Sequence, residues 1–249
     1  MERISMTELQ GQVAIITGAS QGIGQAIALE MAKTGLHLVL CARNVSKLQF
    51  LAGQIQESHP NCNVLVLPCD VQDAQQVEQV VSETMKHFGR IDVLVNNAGV
   101  APRLGLLQEM SLDDINRTID TNLKGAIYCM RAVLPAMIQQ HGGTIININS
   151  IAGKTAYPYW SIYDASKFGL HAITQAVAEE QRHNNIKVVG IYPGAVATPI
   201  WEGLEPGHEP DRNGMLDAET VAESVMYVLQ QPRKAFVSDI TLTPLQPVL

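Results

Sequence analysis

Short apolar segments alternate with helical patterns along nearly the whole chain, and that rhythm constrains the fold more than any other feature. Apolar runs fall at 13–16, 36–41, 64–67, 93–96, 144–148 and 187–192, with a last one at 239–243. They lack the period-two alternation of a strand with one wet face, so each reads as a strand buried on both sides. Helical stretches at 23–33, 73–88, 112–140, 161–183 and 217–230 separate them. The clearest is 73–88, where Val77, Val80, Val81, Thr84, Met85 and Phe88 share one face and Gly89 closes the helix. Parallel strands need crossover connections, and helices supply them on both faces. The expected architecture is α/β and doubly wound: a parallel sheet of about seven strands covered on both sides. A single domain spans 1–249, with a short substrate loop at about 198–216 marked by Pro199, Pro206 and Pro210.

Composition removes several classes of function. The 24 acidic residues outnumber the 17 Lys and Arg, giving a net charge of -7 and no basic run. A nucleic-acid partner is therefore not expected. No apolar run approaches the ~20 residues of a membrane span, so no membrane partner is expected either. Cys41, Cys62, Cys69 and Cys129 form no CxxC pair, and the histidines form no HExxH, so no metal is expected. Reduced thiols and the lack of an apolar leader at the start suit the cytoplasm.

The first apolar run ends in Thr17-Gly18-Ala19-Ser20-Gln21-Gly22-Ile23-Gly24, immediately before the first helix. Glycines at a strand-to-helix turn let backbone approach a pyrophosphate, and the helix N-terminus favours its charge. A glycine cluster alone is also compatible with a tight turn and close helix packing. Its place after the first strand of an alternating chain favours the nucleotide reading and makes the fold a Rossmann fold. The end of the second strand then separates the two nicotinamide cofactors. Cys41-Ala42-Arg43 offers no carboxylate for a ribose 2′-hydroxyl, and Arg43 can meet a 2′-phosphate as a planar fork. The expected cofactor is NADP (NADPH) rather than NAD.

Tyr163 and Lys167 stand at i,i+4 near the start of a helix, on one face. A neighbouring ammonium favours the phenolate, so Lys167 is expected to lower the pKa of Tyr163. Helices contain many such pairs by chance, and the companions give this one its meaning. TGASQGIG, Asn96-Asn97-Ala98-Gly99, Thr121-Asn122-Leu123, Ser150 thirteen residues before Tyr163, and Pro193-Gly194 occur in that order. Together they resemble the short-chain dehydrogenase/reductase family, from about Gln10 to Thr198. The resemblance implies a hydride exchange between NADP(H) and a carbonyl or secondary alcohol. In it Tyr163 would be the general acid/base, and Lys167 would hold the nicotinamide ribose. Ser150 would bond the substrate oxygen, and Asn122 would support a water relay. Gly18, Ser20, Gln21 and Ile23 would line the pyrophosphate and adenosine, and Asp70 and Val71 the adenine. Asn97 would contact the adjacent ribose, and Val196 and Thr198 the carboxamide. Gln21 is neutral where NADP-linked relatives often carry a cation, which leaves Arg43 as the main cation for the phosphate.

Substrate identity is expected in the variable parts. Ile151, Tyr157, Trp160, Ala195, Ile200, Trp201 and Met215 are candidate pocket residues, and Arg212 is the one cation that stands out in the loop as a carboxylate clamp. Trp201 and Met215 could equally pack the loop. The end of the chain lacks the Asp-Gly-Gly common in 3-oxoacyl-carrier-protein reductases, which points to a broader carbonyl reductase. Such an acyl reductase and a non-catalytic NADP-binding regulator remain the alternatives. Ala165, Gly169, Ala172 and Ala176 give the helix after Tyr163 a small-residue face, and the resemblance implies a homodimer or homotetramer.

Overall fold

The computed structural model describes residues 9–101, 104–202, 212–232 and 234–246. Seven strands form one sheet: β1 (Val13–Thr17), β2 (His37–Ala42), β3 (Val64–Pro68), β4 (Val93–Asn96), β5 (Gly143–Ile148), β6 (Ile186–Pro193) and β7 (Asp239–Leu242). Their order is β3-β2-β1-β4-β5-β6-β7, and every neighbouring pair is parallel. The chain therefore steps outward from β1 to β3, then returns to the other side of β1 with β4. This reversal leaves a crevice beyond the carboxyl ends of β1 and β4, the place where open α/β sheets bind ligands.

Helices α1 (Gly22–Ala32), α2 (Val45–Ser58), α3 (Ala74–Phe88), α4 (Leu112–Ile119), α5 (Ala126–Gln139), α6 (Ser161–Gln181) and α7 (Ala218–Leu229) cover the sheet. Successive strand residues point to opposite faces, which divides the core in two. Ala14, Ile16, Leu38 and Leu40 pack with Ile27, Met31, Leu48, Leu51 and Val225, from α1, α2 and α7. Val13, Ile15, Val39 and Cys41 pack with Val77, Val80, Met130, Val133 and Val177, from α3, α5 and α6. Burial on both faces is why these strands carry unbroken apolar runs.

Two elements differ from the sequence reading. Helix α2 was not anticipated, although Leu48, Leu51, Ala52 and Ile55 are all buried on one face. Asn44 caps it, its side chain accepting from the Lys47 N–H at 3.0 Å. The helix expected over 112–140 is interrupted at Asp120–Gly125 by one wide π turn between α4 and α5. There a Cβ on Gly125 would lie 2.7 Å from Val71 Cγ2, so the turn presses against the loop after β3. Of the expected 198–216 loop, 203–211 lie outside the described residues. Its two flanks are stitched together: Ala197 N–H donates to Leu216 O at 2.9 Å, and Leu216 N–H donates to Ala195 O at 2.9 Å.

Candidate active site

The crevice at the sheet reversal is a cleft of about 830 Å³. Gly18, Ser20, Gln21, Ile23, Arg43, Asp70, Val71, Asn97, Tyr163, Lys167, Val196 and Thr198 all line it, as does Ser150. Asn122 does not; it is buried one layer behind the wall. The substrate-end candidates Ile151, Tyr157, Trp160, Ala195, Ile200 and Trp201 also face the cleft. Met215 is buried and does not line it, and Arg212 is exposed and does not line it.

Packing fixes the glycine loop before any ligand is considered. The Thr17 hydroxyl donates to Val95 O at 3.3 Å and accepts from the N–H groups of Asn97 and Ala98, each at 3.0 Å. Asn97 Nδ2 donates to Thr17 O at 2.9 Å and to Gly18 O at 3.2 Å. Asn97 thus locks the loop from the β4 side, a role the sequence reading did not assign. Gly18 takes a φ of 65°, in the left-handed region that favours glycine. Asn44, Asp73 and Ser111 cap α2, α3 and α4 with their side chains, whereas Gln21 makes no side-chain cap at α1. The first N–H groups of α1 are left for another acceptor, and its first turn carries no acidic residue.

At the outer end of the cleft Ala42 closes β2, and Arg43 follows it. Arg43 is exposed, and its nearest acid is Asp70 at 3.9 Å, too long for a hydrogen bond. Lys47 brings a second cation here, its ammonium donating to Gln21 Oε1 at 2.9 Å. Sequence reading missed Lys47; the signal for it was Asn44, a cap that starts α2 and places Lys47 in its first turn. Of the described residues lining this end, Arg43 is the cation and Asp70 the carboxylate, with Lys47 just behind the lining.

At the inner end Tyr163 and Lys167 rise from the first turns of α6. Ser150 stands beside Tyr163 across the cleft and favours its phenolate. Ser150 is held in turn, its N–H donating to Asn149 Oδ1 at 3.0 Å and its Oγ accepting from Ala152 N–H at 3.1 Å. Lys167 is buried, with Nζ donating to Ile148 O at 3.1 Å and lying 5.7 Å from the Tyr163 ring centre. Burial pushes the phenol of Tyr163 up to about 12, against the neighbouring Ser150 side chain, which lowers it. Burial also lowers Lys167 to about 8. The expected lowering of Tyr163 by Lys167 does not occur here: Tyr163 is raised, with desolvation the largest cause for both groups.

Behind this pair, Asn122 spans the loop after β4. Its Oδ1 accepts from Val100 N–H at 2.8 Å, and its Nδ2 donates to Val100 O at 2.8 Å and to Ser166 Oγ at 3.1 Å. Its side chain is therefore committed to holding the floor beneath Lys167. The four thiols are buried, and burial raises each of them, so none is poised as a nucleophile. Among the described residues no cluster of His, Cys, Asp or Glu could hold a metal ion, and no helix is long and apolar enough to cross a membrane.

An uncapped helix N-terminus, a glycine turn and a Ser-Tyr-Lys cluster around one cleft at the sheet reversal define a Rossmann-type protein. The short chain dehydrogenase family model matches residues 12–209. An uncharacterized oxidoreductase of Staphylococcus aureus strain MW2 is 36% identical over 239 residues, covering 96% of this chain and 100% of that protein. The alcohol dehydrogenase of the archaeon Thermococcus sibiricus, complexed with 5-hydroxy-NADP, superposes with a TM-score of 0.86 at 30% identity, covering 95% of this chain and 98% of that one. A metagenomic short-chain oxidoreductase in complex with NADP gives 0.84 at 33% identity, covering 98% of this chain and 100% of that one. The chain belongs to the short-chain dehydrogenase/reductase family and is an oxidoreductase of that family.

Proposed function

We propose that the chain moves a hydride between NADPH and a carbonyl or secondary alcohol, with Tyr163 as general acid and base. The observation that carries this is continuity: the Ser150, Tyr163 and Lys167 cluster opens into the same cleft as the glycine loop. The residues fit a nicotinamide dinucleotide. The open N–H groups of α1, with Gly18, Ser20, Gln21 and Ile23, would take the pyrophosphate. Arg43, beside Asn44 and Ser46, would take a 2′-phosphate, and no acid ends β2 to favour NAD. Asp70 and Val71 would flank adenine, Asn97 and Lys167 the riboses, and Val196 and Thr198 the carboxamide. The NADP-type ligands of two structural neighbours support the same preference. When bound, the nicotinamide supplies or accepts the hydride.

This chain's own residues move the proton. In reduction Tyr163 gives its proton to the carbonyl oxygen, and Ser150 hydrogen-bonds that oxygen as charge develops. Lys167 keeps a positive charge beside the resulting phenolate. Asn122 fixes Val100 and Ser166 around Lys167 and would support the water relay that returns the proton. With Tyr163 raised to about 12, the phenol is protonated at neutral pH, the form that reduction needs. Alcohol oxidation needs the phenolate, so its rate is expected to rise with pH above neutrality.

The test is loss of NADPH absorbance across neutral ketones, keto esters, keto acids, quinones, aldehydes and a 3-oxoacyl thioester. Tyr163→Phe is expected to lower kcat/KM by at least ~10³-fold with NADPH affinity unchanged. Turnover surviving in Tyr163→Phe would refute the mechanism. No turnover on any substrate, with NADPH still bound, would favour a non-catalytic regulator. We place the enzyme in the cytoplasm, where its four buried thiols stay reduced. It works as a homo-oligomer: α6 exposes Ala165, Phe168, Ala172 and Ala176 beside the exposed Leu112 of α4. Light scattering is expected to give a dimer or tetramer mass; a monomer at working concentration would overturn this.

A further inference from the structure

We infer that the substrate end of the cleft is built for a neutral carbonyl compound with a flat apolar body, and that it excludes carboxylate-bearing substrates. This rests on the oxidoreductase reading and names the substrate class of the same site. The chain has two tryptophans, and both stand there. Trp160 meets the Tyr163 ring edge-on at 5.5 Å and Trp201 edge-on at 5.9 Å. The Trp201 indole N–H donates to Val196 O at 2.7 Å, so that ring is fixed and presents carbon to the cleft. Ile151, Tyr157 and Ile200 complete the wall. Flat rings meet such a surface edge-on or offset, gaining dispersion and burying apolar area.

The wall is also held in shape before a substrate arrives. Tyr159 takes a φ of 70°, a left-handed conformation that an aromatic residue adopts only where its surroundings impose it. The Gly105 N–H donates to Tyr159 O at 3.3 Å. Buried Asp164 clamps the segment from below: its Oδ2 accepts from the Tyr157 N–H at 2.7 Å, and its N–H donates to Trp160 O at 2.8 Å. The pocket is therefore preorganised rather than formed by collapse onto a ligand.

Charge supplies the exclusion. Of the described residues lining the cleft, the charged ones are Arg43, Asp70 and Lys167. The first two belong to the far end, and Lys167 already bonds Ile148 O. The hydroxyls of Ser150 and Tyr163 at the inner end suit one carbonyl oxygen, and the Tyr157 hydroxyl in the wall is uncharged. Among the described residues lining the cleft, a carboxylate placed between Trp160 and Trp201 would lose water and meet no free cation. A neutral substrate of the same shape avoids that cost.

The experiment compares methyl 4-acetylbenzoate with 4-acetylbenzoate, which share a skeleton and differ in charge. With NADPH, kcat/KM is expected to be about 100-fold higher for the ester. Trp160→Leu is expected to raise KM for the ester about tenfold with a smaller effect on kcat, and Trp160→Phe to restore most of it. Binding is read separately by tryptophan fluorescence of the NADP⁺-saturated protein, where no turnover occurs. Saturable quenching by the ester and none by the acid supports the assignment. Equal quenching by both, no quenching by either, or preferred turnover of the acid overturns it. If neither is reduced, the wider carbonyl panel decides the catalytic reading, and the fluorescence result still decides what the pocket accepts.

Discussion

Lys167 shows most directly what the site demands of one residue. The folded protein lowers it to about 8, because burial disfavours the ammonium, against an ordinary 10.5. Between those two pH values the unfolded chain holds a proton that the folded chain releases, so stability from this group rises with pH across that window. Below pH 8 the full cost of the buried ammonium is present, on the order of 3 kcal/mol. Tyr163 runs the other way. It is raised to about 12 from 10.0, so its contribution is complete below pH 10 and is lost as pH rises through 12. Lys167→Met is therefore expected to be more stable than the parent in urea at pH 7. That advantage should shrink towards pH 10.5 while NADPH-dependent turnover falls at least ~100-fold. A parent more stable than the variant at pH 7 would show that the Ile148 contact outweighs desolvation. The i,i+4 spacing made this pair visible in sequence, but the sign of its electrostatics depended on burial, which spacing does not encode.

At the scale of elements, two helical glycines make opposite predictions. A Cβ at Gly24 in α1 would lie 2.4 Å from both Gly18 O and Asn97 Nδ2. Those two atoms bond each other at 3.2 Å and hold the glycine loop. Gly24→Ala is expected to destabilise the protein by roughly 1–3 kcal/mol and to abolish nucleotide binding. Gly53 in α2 has nothing within 4 Å of its would-be Cβ. There Gly53→Ala should stabilise by about 0.5–1 kcal/mol, read as a higher urea midpoint with an unchanged slope. The same contrast explains what the sequence made legible. Gly18, Asn97, Ser150 and Tyr163 sit at strand ends or a first helical turn, where backbone geometry demands particular residues in a fixed order. Helix α2 was readable in principle from Leu48, Leu51, Ala52 and Ile55, but polar neighbours and the exposed Phe50 dilute its face. The anchoring roles of Asn97 and Asp164 were not readable at all. Both depend on partners that only the fold brings near: Thr17 and Gly18 for Asn97, and the backbone of Tyr157 for Asp164.

Across the whole molecule the cleft joins parts of the chain that the sheet keeps on opposite sides of β1. The β2–α2 loop supplies Arg43, β1–α1 the pyrophosphate turn, and the ends of β5 and β6 supply Ser150, Val196 and Thr198. A ligand spanning these segments binds the folded state and not the unfolded chain, so it must raise stability by mass action. At a concentration near 100 times its Kd, NADPH is expected to contribute about 2.7 kcal/mol. For a chain of this length that is a rise in Tm of roughly 5–10 °C. NADH at the same concentration should give a smaller rise, since it leaves Arg43 with only the 3.9 Å contact to Asp70. Arg43→Ala should reduce the NADPH rise to that of NADH while leaving the NADH rise unchanged. Lys47→Ala separates the two cations at this end: a fall comparable to that of Arg43→Ala would give Lys47 a share of the phosphate. Equal rises for NADPH and NADH in the parent protein would mean no preference for the 2′-phosphate and would remove Arg43 from that role, while leaving the proton chemistry at Tyr163 untouched.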